Sequence, residues 1–392
     1  MIHKTSPHLD FISKSSLLII DDTKSAKKMT GVPDEPLNRE PSPPELISQF
    51  FTPSASAYDR NHSAVPELDA SSHVIKIDGD VKMNLSLTVK ELKENFTQHE
   101  VVCALQCAGN RRHTMRTKIK EVNGLDWFDG AVMNCKWRGP RLRDVLERAG
   151  VDAAATDAHV AFASYQVECQ DDTWYGGSIP LERALDPASE VLVALEMNGE
   201  PLSHEHGHPV RMIVPGVAGA RSVKWLDRIT VQSTESQNHY QLYDYKVLPP
   251  EATDAEEAKK FWDSTPAVQD MPVNSIVGSP PSESTVTRDK DGTIVVTGYA
   301  LPSGDDGPVV KVEVSADGGH HWTKADILNH PESSKWSWAL WKTSVSIEAG
   351  SDKTILSRAT DAGGNTQPEQ SQWNLRGVCY NGYGAAERLK VE

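Results

Sequence analysis

The last third of the chain constrains the fold most. Between residues 268 and 392, apolar residues alternate with polar ones in "TIVVTGYAL", "VVKVEVSADGGHHW", "KWSWALWKTSVSI" and "KTILSRATDAGGN", each bounded by turn-forming residues. A period of two puts one side of every stretch against a core, and short strands at this spacing over roughly 120 residues predict an all-β sandwich of immunoglobulin size. Only Cys379 lies in this region, so no disulfide can join its sheets.

A length of 392 residues exceeds one ordinary core and calls for a second domain. The stretch "PPEATDAEEAKKFWDSTPAVQDMPVNSIVGSPP" replaces apolar periodicity with charge and proline, and sets a boundary between residues 267 and 268. Across residues 44–267, "EVVCAL" predicts a strand and "PRLRDVLERAG" a helix closed by Gly150. "EVLVALEMNGEPL" predicts two strands joined at an Asn-Gly turn, and "PVRMIVPG" a further strand. This is an α+β arrangement with many loops. Residues 1–43 are polar, with lysine and proline, and read as a tail with little order before Pro41.

The charge balance is 40 basic against 55 acidic side chains, a net charge of −15, which opposes binding to nucleic acids or acidic membranes. Any anion site must therefore be a local positive pocket. No apolar run approaches the ~20 residues that span a bilayer, and "SSLLII" is too short for a secretory signal. The five cysteines are scattered, without a CxxC pair, which points to a reduced intracellular setting. The cytoplasm is the first reading, with mitochondrion and peroxisome open.

Chemistry concentrates in a few loops. In "ALQCAGNRRH" Cys107 ends a strand, Gly109 allows close backbone approach, and Arg111 and Arg112 add charge. A thiol beside fixed cations ionises readily and becomes a nucleophile or a soft-metal ligand, although a buried structural thiol is the commoner role. "AYDRNHSAVPEL" offers Arg60, Asn61 and His62 as oxyanion or phosphate donors, or simply as a solvated turn. "SHEHGHPVR" carries His204, His206 and His208, but Gly207 and Pro209 break the regular strand a zinc site would need, leaving His206 with Arg211. "GVAGARSVKWL" joins flexible glycines to Ser222 and Lys224, as suits a phosphate.

Taken with "KEVNGLDW", "YGGSIPL", "EMNGEPL", "DYK" and "WNLRGV" in the same order, these segments resemble the eukaryotic sulfite oxidases, within the molybdenum-cofactor family that also holds assimilatory nitrate reductase. The resemblance runs from about Pro44 to Arg376. It implies a mixed α/β molybdopterin-binding core followed by an immunoglobulin-like sandwich that mediates homodimerisation. It implies Cys107 as the thiolate on molybdenum, with Arg111 and Arg112 keeping the sulfur ionised. Asn61, His62, His206, Arg211, Ser222, Val223 and Lys224 would hold the pterin and its phosphate. Arg60, Arg112, Trp127, Tyr245 and Arg376 would form the pocket for sulfite, which is oxidised to sulfate by oxo transfer.

Departures from the family refine the expectation. No His-Pro-Gly-Gly haem motif occurs, so no haem is expected, and the electron acceptor would be oxygen or an external cytochrome, as in the plant-type enzymes. Asn123 stands where a basic pocket residue is usual, and Glu168, Asp171 and Asp172 compete for one acidic pterin contact. Nitrate reductase is the nearer alternative, disfavoured by Arg376 where those enzymes carry methionine. A bacterial sulfoxide-type oxo-transferase and a cofactor-free binding protein are the others.

Overall fold

Local sequence explains most elements. Leu142, Val145, Leu146 and Ala149 recur at helical spacing, and all four are fully buried along Leu142–Ala149. Gly150, at φ +75°, ends that helix in the left-handed conformation. The helix Val89–Glu94 starts with a reciprocal capping box between Thr88 and Glu91. The Asn198-Gly199 turn joins Glu196–Met197 to Glu200–Pro201 with both turn residues at positive φ.

A computed structural model describes residues 36–154 and 157–392. A mixed five-stranded sheet runs in the order Leu85–Thr88, Val74–Gly79, Arg228–Gln232, His159–Ser164, Tyr175–Pro180. Val74–Gly79 and Arg228–Gln232 are parallel and the other pairs antiparallel. The helix Leu142–Ala149 shares a core with Ile75, Ile77, Phe162 and Ile229 of this sheet. A second sheet is built on the long hairpin of His99–Gln106 and Val132–Gly139, where Cys103 faces Cys135 and Leu105 faces Met133. The catalytic candidate Cys107 leaves the end of that hairpin.

Beyond residue 273 two sheets of four and five strands pack face to face. Val296, Val312, Val314, Trp341, Ile355 and Leu389 fill the space between them and are inaccessible to solvent. All five cysteines are free thiols.

Two segments differ from the sequence reading. The proposed linker carries the helix Ala255–Ala258, begun by Asp254, whose carboxylate accepts from the Glu256 and Glu257 amides. Its Ala252 and Ala258, with the preceding Leu248, pack with Met115 and Trp373, while Val268 and Met271 join a separate cluster with Tyr245, so its few apolar residues serve two cores and show no single period. Of the segment expected as a tail, residues 1–35 lie outside the described residues. Residues 38–39 form a strand antiparallel to Asp59–Arg60, so order begins before Pro41. The sandwich is also sewn to the rest of the chain: Trp338 Nε1 donates to the Phe50 carbonyl at 2.9 Å and Tyr299 Oη to that of Asp129 at 2.8 Å.

Candidate active site

Cys107 is held in a tight turn, its amide donating to Ala131 O and its carbonyl accepting from the Asn110 amide, both at 2.9 Å. Burial pushes the thiol pKa up, while Arg112, Arg60 and the Gly109 amide pull it down. Burial wins, so a free thiol here keeps its proton, and coordination by a soft metal would displace it.

The two neighbouring arginines, expected to act together, diverge. Arg111 has φ +66°, which turns it away from the sulfur toward the C-terminal sandwich. Its guanidinium donates to Asn274 Oδ1, Gly382 O and Tyr383 O, each at 2.7 Å, and meets Asp129 at 3.3 Å. Arg111 is therefore a tether and does not ionise the thiol. Arg112 stays beside Cys107, donating to Leu125 O at 2.8 Å and Arg376 O at 3.0 Å. It is walled in by glycines: a Cβ at Gly109, Gly124 or Gly377 would come within 2.5, 2.9 or 2.7 Å of it.

On the same side, Arg60 Nη2 donates to His62 Nδ1 at 3.2 Å, and His62 Nε2 lies 2.8 Å from Tyr245 Oη. Burial, reinforced by Arg60 and Arg376, holds the His62 pKa well below its ordinary value, so the ring is neutral. With Nδ1 accepting from Arg60, Nε2 carries the proton and donates to Tyr245. The Tyr245 hydroxyl proton is then free to point into the cavity, and burial raises its pKa well above that of a free phenol, so it stays in place. Arg376 pairs closely with Asp244 and also donates to the Asp244 carbonyl at 3.2 Å. Trp127 is buried in the same apolar cluster as Cys107, and its Nε1 has no partner.

The remaining candidates face Cys107 across a cavity lined by Asn61, His62, His206, Arg211, Ser222 and Lys224 among others. Lys224 donates to Asn61 Oδ1 and, at 2.8 Å, to Glu205 O. Burial, opposed by Asp59 and aided by Arg211, pushes Lys224 down to about 7. Burial likewise takes His206 down to about 4. Asn61 Nδ2 and Arg211 Nε are buried without partners among the described residues. Orphaned donors and crowded cations beside a soft sulfur are what a phosphate-bearing, metal-binding cofactor would satisfy, so the residues present fit a molybdenum-pterin group.

Val223 buries its side chain in the core of the five-stranded sheet and its carbonyl accepts from the Met212 amide at 2.8 Å, which leaves its backbone amide as the group it could offer a cofactor. An isopropyl group flanked by Ser222 and Lys224 on the cavity side has nowhere else to be buried. The three histidines also separate: the His204 and His208 rings meet at 5.0 Å, while His206 Nε2 turns to Ser54 O at 2.9 Å. No group of three or more potential metal-ligating side chains occurs among the described residues. Of the competing acids, Asp172 is occupied by Asn238 Nδ2 and the His239 amide, both at 2.9 Å. Asp171 is the one whose charge reaches Arg376, and Asn123 is exposed.

Sequence reasoning missed Asp244, the partner of Arg376, and Asp59, a fully buried carboxylate 3.7 Å from His206 Nδ1. Each directly precedes a residue that was chosen, Tyr245 and Arg60. An acidic residue beside a functional one was the signal available. The π-helical turn Tyr240–Asp244 that delivers Tyr245 carried no such mark.

A family model described as the oxidoreductase molybdopterin binding domain matches residues 62–240, and one described as the Mo-co oxidoreductase dimerisation domain matches residues 265–387. Human mitochondrial sulfite oxidase is 43% identical over 356 residues, 89% of this chain, which spans 63% of that relative's length. The sulfite oxidase of Arabidopsis thaliana is 37% identical over 363 residues, covering 88% of this chain and 89% of the plant protein. The chain belongs to the sulfite oxidase family. Among solved structures, the sulfane dehydrogenase SoxCD of Paracoccus pantotrophus shares the fold with a TM-score of 0.72 at 25% identity, covering 88% of this chain and 85% of that one. In this member of the sulfite oxidase family, the cavity between Cys107 and Lys224 falls at the edges of the matched molybdopterin-binding segment and within it, while Arg376 lies inside the segment matched as the dimerisation domain.

Proposed function

We propose that the chain oxidises sulfite to sulfate at a molybdenum-pterin cofactor bound through Cys107. The observation that carries this reading is that Arg60 and Arg112 stand beside one buried thiol, with Arg376 next to them and its carbonyl bonded to Arg112, in a chain of net charge −15. Three guanidinium groups suit a small oxyanion, as planar forks of donors matched to its oxygens. When bound, the cofactor supplies two-electron oxygen-atom transfer. Asn61, His62, His206, Arg211, Ser222 and Lys224 hold its polar rim and phosphate. Arg60, Arg112, Arg376 and the unpartnered Trp127 Nε1 bind and orient sulfite, and the Tyr245 hydroxyl, fixed by His62, donates to the developing product oxygen.

The overall conversion takes sulfite and water to sulfate, two protons and two electrons. The electrons leave for oxygen or an external cytochrome, and the enzyme works without haem. Residues 44–267 form the catalytic domain, and the immunoglobulin-like domain of residues 268–392 joins two copies in a homodimer. The free cysteines suit an intracellular, first of all cytoplasmic, location. No helix of the described residues is long and apolar enough to cross a membrane.

The test is sulfite-dependent reduction of ferricyanide by protein shown to contain molybdenum. Turnover that disappears in Cys107→Ser supports the proposal. Metal-loaded protein that leaves sulfite untouched and reduces nitrate would replace it with the nitrate reductase reading.

A further inference from the structure

The strand Asn38–Arg39 and the residue after it reach three parts of the site in succession. Asn38 Oδ1 accepts from Arg60 Nη1 and from the Asn61 amide, both at 3.2 Å. Arg39 Nε donates to Asp59, the buried carboxylate that precedes Arg60, at 2.5 Å. Glu40 reaches the opposite wall, where Oε1 accepts from the Phe128 amide and Oε2 from the Gly130 amide, both at 2.8 Å. Phe128 directly follows Trp127, so three consecutive residues tie the loop of Arg60 to the loop of Trp127.

The tie matters because of what else holds Arg60. Its other partners are the Asn61 carbonyl and the neutral His62 ring, and no carboxylate among the described residues pairs with it. An arginine with four rotatable side-chain bonds and no anionic partner samples many rotamers unless its head is anchored. The Asn38 carbonyl oxygen anchors the head from behind without neutralising it, which leaves the charge for a ligand. Two loops that each supply donors must also keep a fixed spacing to clasp one small anion, and the carboxylate of Glu40 spans between backbone amides to keep it.

We propose that Asn38 and Glu40 are positioning residues that fix Arg60 relative to the Trp127 loop and thereby set the affinity of the site for an oxyanion. The inference rests on the proposed anion pocket, but not on its catalytic chemistry.

The experiment titrates sulfate into molybdenum-matched holoenzyme by calorimetry and follows sulfite kcat and KM in parallel. Asn38→Ala is expected to weaken sulfate binding and raise the sulfite KM by about tenfold, the ratio that ~1.4 kcal/mol gives. The kcat should stay within about twofold, as expected when uniform binding is lost. In an Arg60→Ala background the same substitution should change neither constant further on protein matched for molybdenum, because Asn38 reaches the anion through Arg60 and its bond to the Asn61 amide faces the cofactor side. Unchanged sulfate affinity in Asn38→Ala overturns the proposal. So does a fall in kcat with lowered thermal stability and unchanged KM, which marks a purely structural role. Sulfate binding without sulfite turnover would remove the proposed function while leaving the positioning test readable, and wild-type protein that binds neither anion would overturn both.

Discussion

Gly109→Ala should disable the anion pocket without touching a charged residue. Gly109 does not occupy the left-handed region, so alanine costs no backbone strain there, and the effect comes from contact alone. The added methyl would lie 2.5 to 2.6 Å from Nη2, Cζ and Nη1 of Arg112. A flexible side chain normally swings clear of such a contact. Arg112 cannot, because its far sides already abut Gly124 and Gly377 and it is 6% exposed. Displacing it breaks the bonds to Leu125 O and Arg376 O, and hydrogen bonds from a charged donor contribute about 1.5 to 3 kcal/mol each. Loss of one equivalent contact to a bound oxyanion predicts a fall in sulfite kcat/KM of about ten- to a hundredfold. The assay is steady-state sulfite oxidation on protein matched for molybdenum content, with Gly109→Ala/Arg112→Lys beside it, since the narrower ammonium should fit under the methyl and recover part of the loss. Wild-type kcat/KM in Gly109→Ala would refute the claim that Arg112 is confined.

Three further outcomes follow from the same geometry. Arg376→Met should lower sulfite kcat/KM by about ten- to a hundredfold and weaken inhibition by sulfate, because it removes one cation and leaves the Asp244 carboxylate, 11% exposed, without its partner; inhibition constants and kcat/KM measured together check it. Burial raises Glu40 from 4.5 to about 7, aided by Asp129 and Asp126 against the Phe128 and Gly130 amides. The folded state therefore keeps this proton where the unfolded chain has lost it, and the stabilisation, complete below about 4.5, is lost as pH rises to about 7, by ~3 kcal/mol at most. Glu40→Gln should flatten the melting temperature over that window, and an unchanged pH slope would count against it. Trp338→Ala should destabilise by about 3 to 5 kcal/mol in denaturant melts, because the ring is 2% exposed at the junction of the sandwich with Phe50.

What the sequence made legible was whatever depends on near neighbours. The helix before Gly150, the Asn198-Gly199 turn and the alternating strands of the last third are written in periodicity and turn chemistry. Within the site, Arg60, Asn61, His62, His206, Arg211, Ser222, Lys224 and Tyr245 line one cavity with Cys107, and the Val223 side chain turns into the core. Arg111 and Arg112 show where such reading stops. They are the same residue type in adjacent positions, and a single left-handed backbone angle at Arg111 sends one to the sandwich and leaves the other at the sulfur. The partners Asp244 and Asn38 escaped for a related reason, since each matters only through a residue far away in the chain, 132 positions for Asp244 to Arg376 and 22 for Asn38 to Arg60.

The Arg111 tether also bears on the order of events as the protein is made. The loop at Cys107 emerges early, yet most acceptors of Arg111, on Asn274, Gly382 and Tyr383, and one of those of Arg112, the carbonyl of Arg376, lie far later in the chain. A chain leaving the ribosome from its N-terminus therefore carries the Arg111 guanidinium with Asp129 as its early partner until Asn274, and much later Gly382 and Tyr383, have followed. A truncation just before Gly382 would spare every cavity-lining residue yet leave the turn after Cys107 without two of the acceptors that clasp it.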